Sequence, residues 1–226
     1  MSGATYYREF LAELQEYCDP QYREFHKKLL KNDNINLIGV RIPQLRKLAK
    51  KHLQNVDGLL AMPDEYYEVT FVKLTAVSLL GWEEFLKRVE GCVALIDNWA
   101  TCDCFVPKCI LKHKQEFLPY VEKYALSDGE YHQRFALTTL LHFYVDGNHA
   151  DVIREILQMV NTKYYYVHMA AAWLIAEMLV KDYDNTVKLL QSGLYDIKTH
   201  NKAIQKACES FRLTKEQKNF LKGMKK

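Results

Sequence analysis

Apolar residues recur at three- and four-residue intervals in segment after segment of this chain, the spacing that gives an α-helix one buried stripe. The pattern predicts helices over 4–18, 20–31, 43–54, 64–80, 82–96, 98–113, 115–125, 130–145, 149–160, 164–181, 184–192, 196–211 and 214–224. Segment 164–181 illustrates it: Tyr165, Met169, Ala172, Trp173, Ala176 and Val180 share a face, and the small residues Ala170 to Ala172 would let a neighbouring helix come close. Proline and glycine fall between the patterned segments. Asp19-Pro20, Ile42-Pro43 and Met62-Pro63 read as first-turn prolines, and Gly58, Gly81, Gly91, Gly129, Gly147 and Gly193 mark other breaks. No alternating run with a hairpin turn stands out, so the expected fold class is all-α.

One helix pair takes roughly 35–40 residues, the length of a HEAT or armadillo unit. The repeat is one of elements, not of identities. Short polar loops favour antiparallel neighbours, and stacked pairs make a curved array with equivalent helices along one face. A plain helical bundle is the alternative. The expectation is a single HEAT-like domain over 1–226.

Composition keeps the chain globular: 49% hydrophobic and 26% charged residues exclude disorder and allow a sizeable core. No apolar run approaches the roughly 20 residues that span a bilayer, and Met1 to Cys18 lacks a signal-peptide pattern, so a cytoplasmic location is expected. Six cysteines then read as thiols; Cys102, Cys104 and Cys109 are poorly spaced for a metal and suit buried structural positions. No metal or cofactor is called for. The net charge is only +3, but residues 20–54 carry +7 and residues 196–226 carry +6, leaving −10 for the rest. Basic ends are ordinarily solvated helix faces; they also suit a phosphate-binding rim.

Asp97-Asn98-Trp99-Ala100-Thr101-Cys102-Asp103 reads as a helix start, with Asp97 or Asn98 as its cap. Trp99 and Asp103 then stand one turn apart on one face. Pro107 either kinks that helix or begins the next. Arg134 lies inside an otherwise apolar helix, and Trp173 lies in the 164–181 stripe. Their spacings, 35 residues from Trp99 to Arg134 and 39 from Arg134 to Trp173, are each about one helix pair. In a stacked array these residues fall on successive equivalent helices. Singly, each has an ordinary reading: a Trp in a stripe is usually core, an Arg at its edge snorkels, and an Asp near a helix start is a cap or ion-pair partner.

Trp99-x-x-x-Asp103, then Arg134-Phe135-Ala136-Leu137, then Ala171-Ala172-Trp173-Leu174, resembles the AlkD-like DNA alkylation repair family of HEAT-like glycosylases. Leu37 to Leu48 resembles that family's N-terminal signature, and Asn201 to Lys206 with Glu209 to Arg212 its C-terminal part. The resemblance covers about residues 5–222. It implies a right-handed superhelix whose concave face cradles duplex DNA, and excision of N3-methyladenine- or N7-methylguanine-type bases. It implies Asp103 and Trp99 as catalytic residues, with Arg134, Trp173, Arg41, Arg46, Lys47, Lys50 and Lys202 on the DNA. The expected partner is duplex DNA containing alkylated bases, bound by a monomer without a membrane. Phe25 is the nearest match to an aromatic residue that approaches the lesion in that family, although it lacks a hydroxyl. Some branches keep the fold with no evident glycosylase activity, so a non-catalytic protein binding damaged or branched DNA is the alternative; a protein-interaction scaffold is a third.

Overall fold

The computed structural model describes residues 3–32 and 34–226. Asp33, counted in the N-terminal charge above, lies outside them. The described residues form fifteen α-helices, two 3-10 turns and no strand; the only β-type pairing among them is a bridge between Cys18 and Val40. The chain divides into two compact units, Met1–Lys112 and His113–Lys226.

The first unit contains α1 (Gly3–Glu16), α2 (Pro20–Leu30), α3 (Ile42–Lys51), α4 (Val56–Leu60), α5 (Tyr67–Ser78), α6 (Trp82–Leu86), α7 (Val89–Ala94) and α8 (Trp99–Cys104). Helix α5 packs against α3, α4, α7 and α8. Its residues from Tyr67 to Leu74 are all buried, including Glu68 and Lys73 at 0% exposure. Both charges are answered. Lys73 Nζ donates to Met62 O (2.5 Å) and Asp64 Oδ1 (2.9 Å). Glu68 accepts from the backbone N–H groups of Ile38 (3.0 Å), Gly39 (2.7 Å) and Val40 (3.2 Å). A buried carboxylate thereby shapes the loop that leads into α3. Gly39 has φ +100°, and a Cβ there would meet Arg23 Cβ and Asp19 O at 2.7 Å, so the loop needs glycine for both conformation and space.

The second unit contains α9 (Lys114–Ala125), α10 (Glu130–Phe143), α11 (Ala150–Met159), α12 (Tyr165–Lys181), α13 (Tyr183–Gln191), α14 (Ile197–Glu209) and α15 (Lys215–Gly223). Helices α10, α12 and α14 pack side by side, with α9 against α10, α11 against α9, α13 against α12 and α15 against α14. Within this unit that is the stacking of a helical repeat array. A polar relay locks α12 to α14. The Thr199 hydroxyl donates to Asp196 Oδ2 (2.7 Å), so His168 Nδ1 must donate to Thr199 Oγ1 (3.0 Å).

Several sequence expectations need correction. Segment 82–96 divides into α6 and α7 around Lys87–Arg88, where Arg88 binds Glu84 O (2.9 Å) and Asp57 Oδ1 (2.8 Å). Segment 98–113 ends as an α-helix at Cys104; Pro107 then opens the 3-10 turn Lys108–Lys112, accepting from Ile110 N–H at 3.2 Å. Pro20 and Pro43 begin helices as expected, but Pro63 lies in the loop before α5, and Pro119 sits inside α9. That proline leaves the Gln115 carbonyl without its helical donor. The face of α12 is also reversed in part. Tyr165 and Trp173 are exposed and Met169 is half-buried, while Val167, His168, Ala170, Ala171, Ala172, Leu174, Ile175 and Ala176 are buried. A helix apolar on nearly every side gives hydropathy no means of marking its open face.

Asp146 ties the start of α9 to the α10–α11 connection, accepting from Lys114 Nζ (2.6 Å), His149 Nδ1 (2.8 Å) and Asn148 N (3.1 Å). Burial pushes its carboxyl up, but Lys114 and His149 outweigh that and bring it from 3.8 to about 2. A carboxyl depressed in the folded state contributes stability above its unfolded pKa and loses that contribution as pH falls through the folded value. Wild-type stability should therefore decline between about pH 5 and pH 2. Asp146→Asn should show a shallower decline in urea unfolding over the same window.

Candidate active site

Helix α8 starts at a defined cap. Asn98 has extended backbone (ψ 161°), and its side-chain oxygen accepts from Ala100 N and Thr101 N, both at 3.0 Å. Asn98, not Asp97, is the cap; Asp97 instead accepts from Asn98 Nδ2 at 2.7 Å. Thr101 Oγ1 donates back to Asn98 O at 3.1 Å. The buried side of α8 is Ala100, Thr101 and Cys102. Trp99, Asp103 and Cys104 are half-buried, and Trp99 and Cys104 pack against the core of the first unit. The six cysteines are free thiols.

Three other helices of the first unit, α3, α5 and α2, bring side chains to the Cys104 end of α8. From α3, the exposed Arg46 reaches the thiol: burial pushes the Cys104 thiol up, the bonded Arg46 guanidinium draws it down, and the adjacent Asp103 carboxylate pushes it up. From α5 comes Tyr67, whose phenol is raised far above its ordinary value by burial and then by Cys104, Tyr22 and Glu68. From α2 come Tyr22 and His26, with the His26 ring edge-on to Tyr67 (4.7 Å, 89°) and 5.3 Å from Tyr22. From the α3 cap, the Arg41 guanidinium lies 4.9 Å over the Tyr22 ring and donates to Asp19 Oδ2 from Nε (3.0 Å) and Nη2 (2.7 Å). His26 Nδ1 and Tyr67 OH are buried and meet no hydrogen-bond partner among the described residues.

The remaining basic candidates of α3, Lys47 and Lys50, are exposed, opposite the buried Leu45, Leu48 and Ala49. With Arg46 they make a cationic helix face beside the Asp103 turn.

In the second unit Arg134 is only 6% exposed. Its Nη1 donates to Tyr166 O (2.7 Å), its guanidinium lies 5.9 Å over the Tyr166 ring, and Tyr166 N–H donates to Glu130 Oε1 (2.7 Å). Arg134 therefore anchors the first turn of α12 to α10. Trp173 is 38% exposed, edge-on to His142 at 6.4 Å. One turn further along α12, Glu177 accepts a fork from Arg212, at 2.8 Å from Nη1 and 2.5 Å from Nη2. Lys202 on α14 is half-buried and donates to Gln205 Oε1 at 3.0 Å.

A family model described as DNA alkylation repair enzyme matches residues 10–211. The chain belongs to the DNA alkylation repair enzyme family. No curated protein matches it. The residues matched to the DNA alkylation repair enzyme model include every candidate named above, from Tyr22 to Lys202. Among the described residues, no helix is long and apolar enough to cross a membrane, and no group of three His, Cys, Asp or Glu could hold a metal.

Sequence reasoning for this member of the DNA alkylation repair enzyme family missed Tyr22. It pointed to Phe25, which is 60% exposed with its ring 6.3 Å from Tyr22. Tyr22 is the α2 ring that joins the Arg41–Tyr67–Cys104 cluster, and it carries the hydroxyl that Phe25 lacks. Its signal was the cap: Asp19-Pro20 starts α2, and Tyr22 N–H donates to Asp19 Oδ1 at 3.0 Å, which sets the phase of the first turn. His26, Tyr67 and Glu68 had no comparable local signal.

Proposed function

We propose that this member of the DNA alkylation repair enzyme family is a DNA glycosylase that excises N3- and N7-alkylated purines from duplex DNA. The reading takes the chain as one HEAT-like array whose inner helices meet the duplex. The observation that carries it is Asp103: a half-exposed carboxylate one turn from Trp99, on a capped helix, beside the exposed Arg46 of a cationic α3 face.

The chemistry needs little else. An N3- or N7-alkylpurine is cationic, so when the C1′–N9 bond breaks, its electron pair leaves with a neutral base. General-acid help is dispensable. Positive charge then develops on the deoxyribose, and a carboxylate beside that sugar stabilises it electrostatically. Water adds to C1′ and loses its proton to Asp103 or to solvent. Trp99 offers a π-face to the cationic base or sugar, and in the second unit Trp173 is an exposed aromatic DNA contact. Arg41, Arg46, Lys47, Lys50 and Lys202 supply phosphate contacts, which position the duplex without reading sequence. Arg134 holds the start of α12 and lends its charge to a phosphate there. Tyr22 joins the aromatic set on the lesion side of α2.

The test is release of free 3-methyladenine or 7-methylguanine from methylated duplex DNA by the purified protein, followed by chromatography of the released base. Time-dependent release with a matching count of abasic sites is the expected result. No release from any alkylated duplex would overturn the glycosylase reading.

A further inference from the structure

Phe211 is 93% exposed, an unusual place for so large an apolar side chain. We propose that Phe211 is a base-stacking residue, which packs its ring against a nucleobase of bound duplex DNA; the proposal rests on the DNA-binding reading above.

The loop that carries it is held on both sides. Before it, Ser210 N–H donates to Ala207 O at 3.1 Å, and Ser210 Oγ accepts from Arg212 N (3.2 Å) and Nε (3.4 Å). After it, Arg212 is forked onto Glu177, Leu213 is buried, and Thr214 caps α15 through a full capping box with Gln217. An aromatic ring is thus presented to solvent from an ordered backbone, so little entropy is lost when it finds a partner.

Its position and surroundings select the partner. Glu177 lies one turn beyond Trp173, so the Arg212 fork sets Phe211 at the end of the open Tyr165–Met169–Trp173 side of α12. Its chain neighbours Ser210 and Arg212 are polar; Lys206 is paired to Glu209 at 2.9 Å, but Lys215, Lys218 and Lys222 follow, and the segment 196–226 as a whole carries +6. A protein partner would call for an apolar patch continuous with the ring, whereas the link from the ring to that side of α12 runs through the charged Arg212–Glu177 fork. A nucleobase needs only the ring face, and the phosphates beside it suit the net positive C-terminal segment. Aromatic wedges between base steps are a known way to grip a duplex from a groove.

The experiment measures binding of a short fluorescent duplex, with and without an alkylated purine, across a salt series. Wild type is expected to bind with affinity that falls as salt rises. Phe211→Ala should bind about tenfold more weakly at every salt concentration with an unchanged salt slope, because stacking releases no counterions. Phe211→Trp should restore affinity, and 2-aminopurine in the duplex should report unstacking that Phe211→Ala abolishes. Affinity of Phe211→Ala within twofold of wild type would overturn the proposal, as would full rescue by Phe211→Leu, which marks a merely apolar contact. A change of sedimentation from dimer to monomer in Phe211→Ala would assign the ring to a second copy and overturn it too. Wild type that binds no duplex would bring down the DNA reading itself, a result separable from all of these.

Discussion

Replacing Asp103 by asparagine should lower the rate of base release from methylated duplex DNA by about 10²–10³-fold, some 2.7–4 kcal/mol of lost transition-state stabilisation. The substitution changes charge and almost nothing else. Asp103 is half-exposed on the last turn of α8, and the helix start is held elsewhere, by Asn98 and Thr101. Fold and DNA affinity should therefore stay within about twofold of wild type, with the loss confined to kcat. A local reporter is built in: the Asp103 carboxylate pushes the Cys104 thiol up, so Asp103→Asn should lower that thiol's pKa and speed its reaction with a disulfide reagent at fixed pH. Release unchanged in Asp103→Asn, with the thiol shifted as expected, would sink the proposed role of the carboxylate and leave the excision activity standing.

Glu68→Gln should destabilise the protein by about 3 kcal/mol in urea unfolding, the largest effect expected from a nearly isosteric change. Glu68 Oε1 accepts from Gly39 and Val40, and Oε2 from Ile38, with no solvent to replace them. Glutamine keeps one acceptor and turns its NH2 toward a backbone donor. It also replaces charge-assisted hydrogen bonds, which are roughly twice as strong as neutral ones. The loss should spread to DNA binding, since the loop from Ile38 to Val40 leads directly to Arg41 and the α3 face. A midpoint within about 0.5 kcal/mol of wild type would show that the loop holds its form without the carboxylate.

Local signals carried far in this chain. Helical spacing, a cap at Asp97 or Asn98, and Pro20 and Pro43 at helix starts are all short-range effects and legible, although only the structure chooses Asn98. What failed depends on partners distant in sequence. Glu68 looks like an ordinary surface acid until the loop thirty residues earlier is folded onto it. Lys73 is likewise buried only because Met62 O and Asp64 receive it. Phe25 and Tyr22 differ by three residues on one helix, and what distinguishes them is long-range: the contacts of Tyr22 with Arg41, Tyr67 and Cys104. Arg134 was legible as an odd residue in an apolar helix, but its bond to Tyr166 O required the position of α12. Trp173 reads from the sequence both as one of a stripe and as a candidate DNA contact; the stripe itself divides, with Tyr165 and Trp173 exposed and Ala172 and Ala176 buried, because α12 buries most of its circumference in α10, α13 and α14.

That arrangement separates two kinds of constraint along a single helix. The buried positions of α12 answer to folding and leave little freedom to vary. Tyr165, Met169 and Trp173 answer to whatever lies outside, at intervals of four residues, or about 6 Å along the axis. They form a ruler whose marks can be recut one at a time. Lineages of such a protein could change what they grip by drift at three codons, with the scaffold untouched, and a library randomised at those three positions should stay folded while its binding preferences scatter.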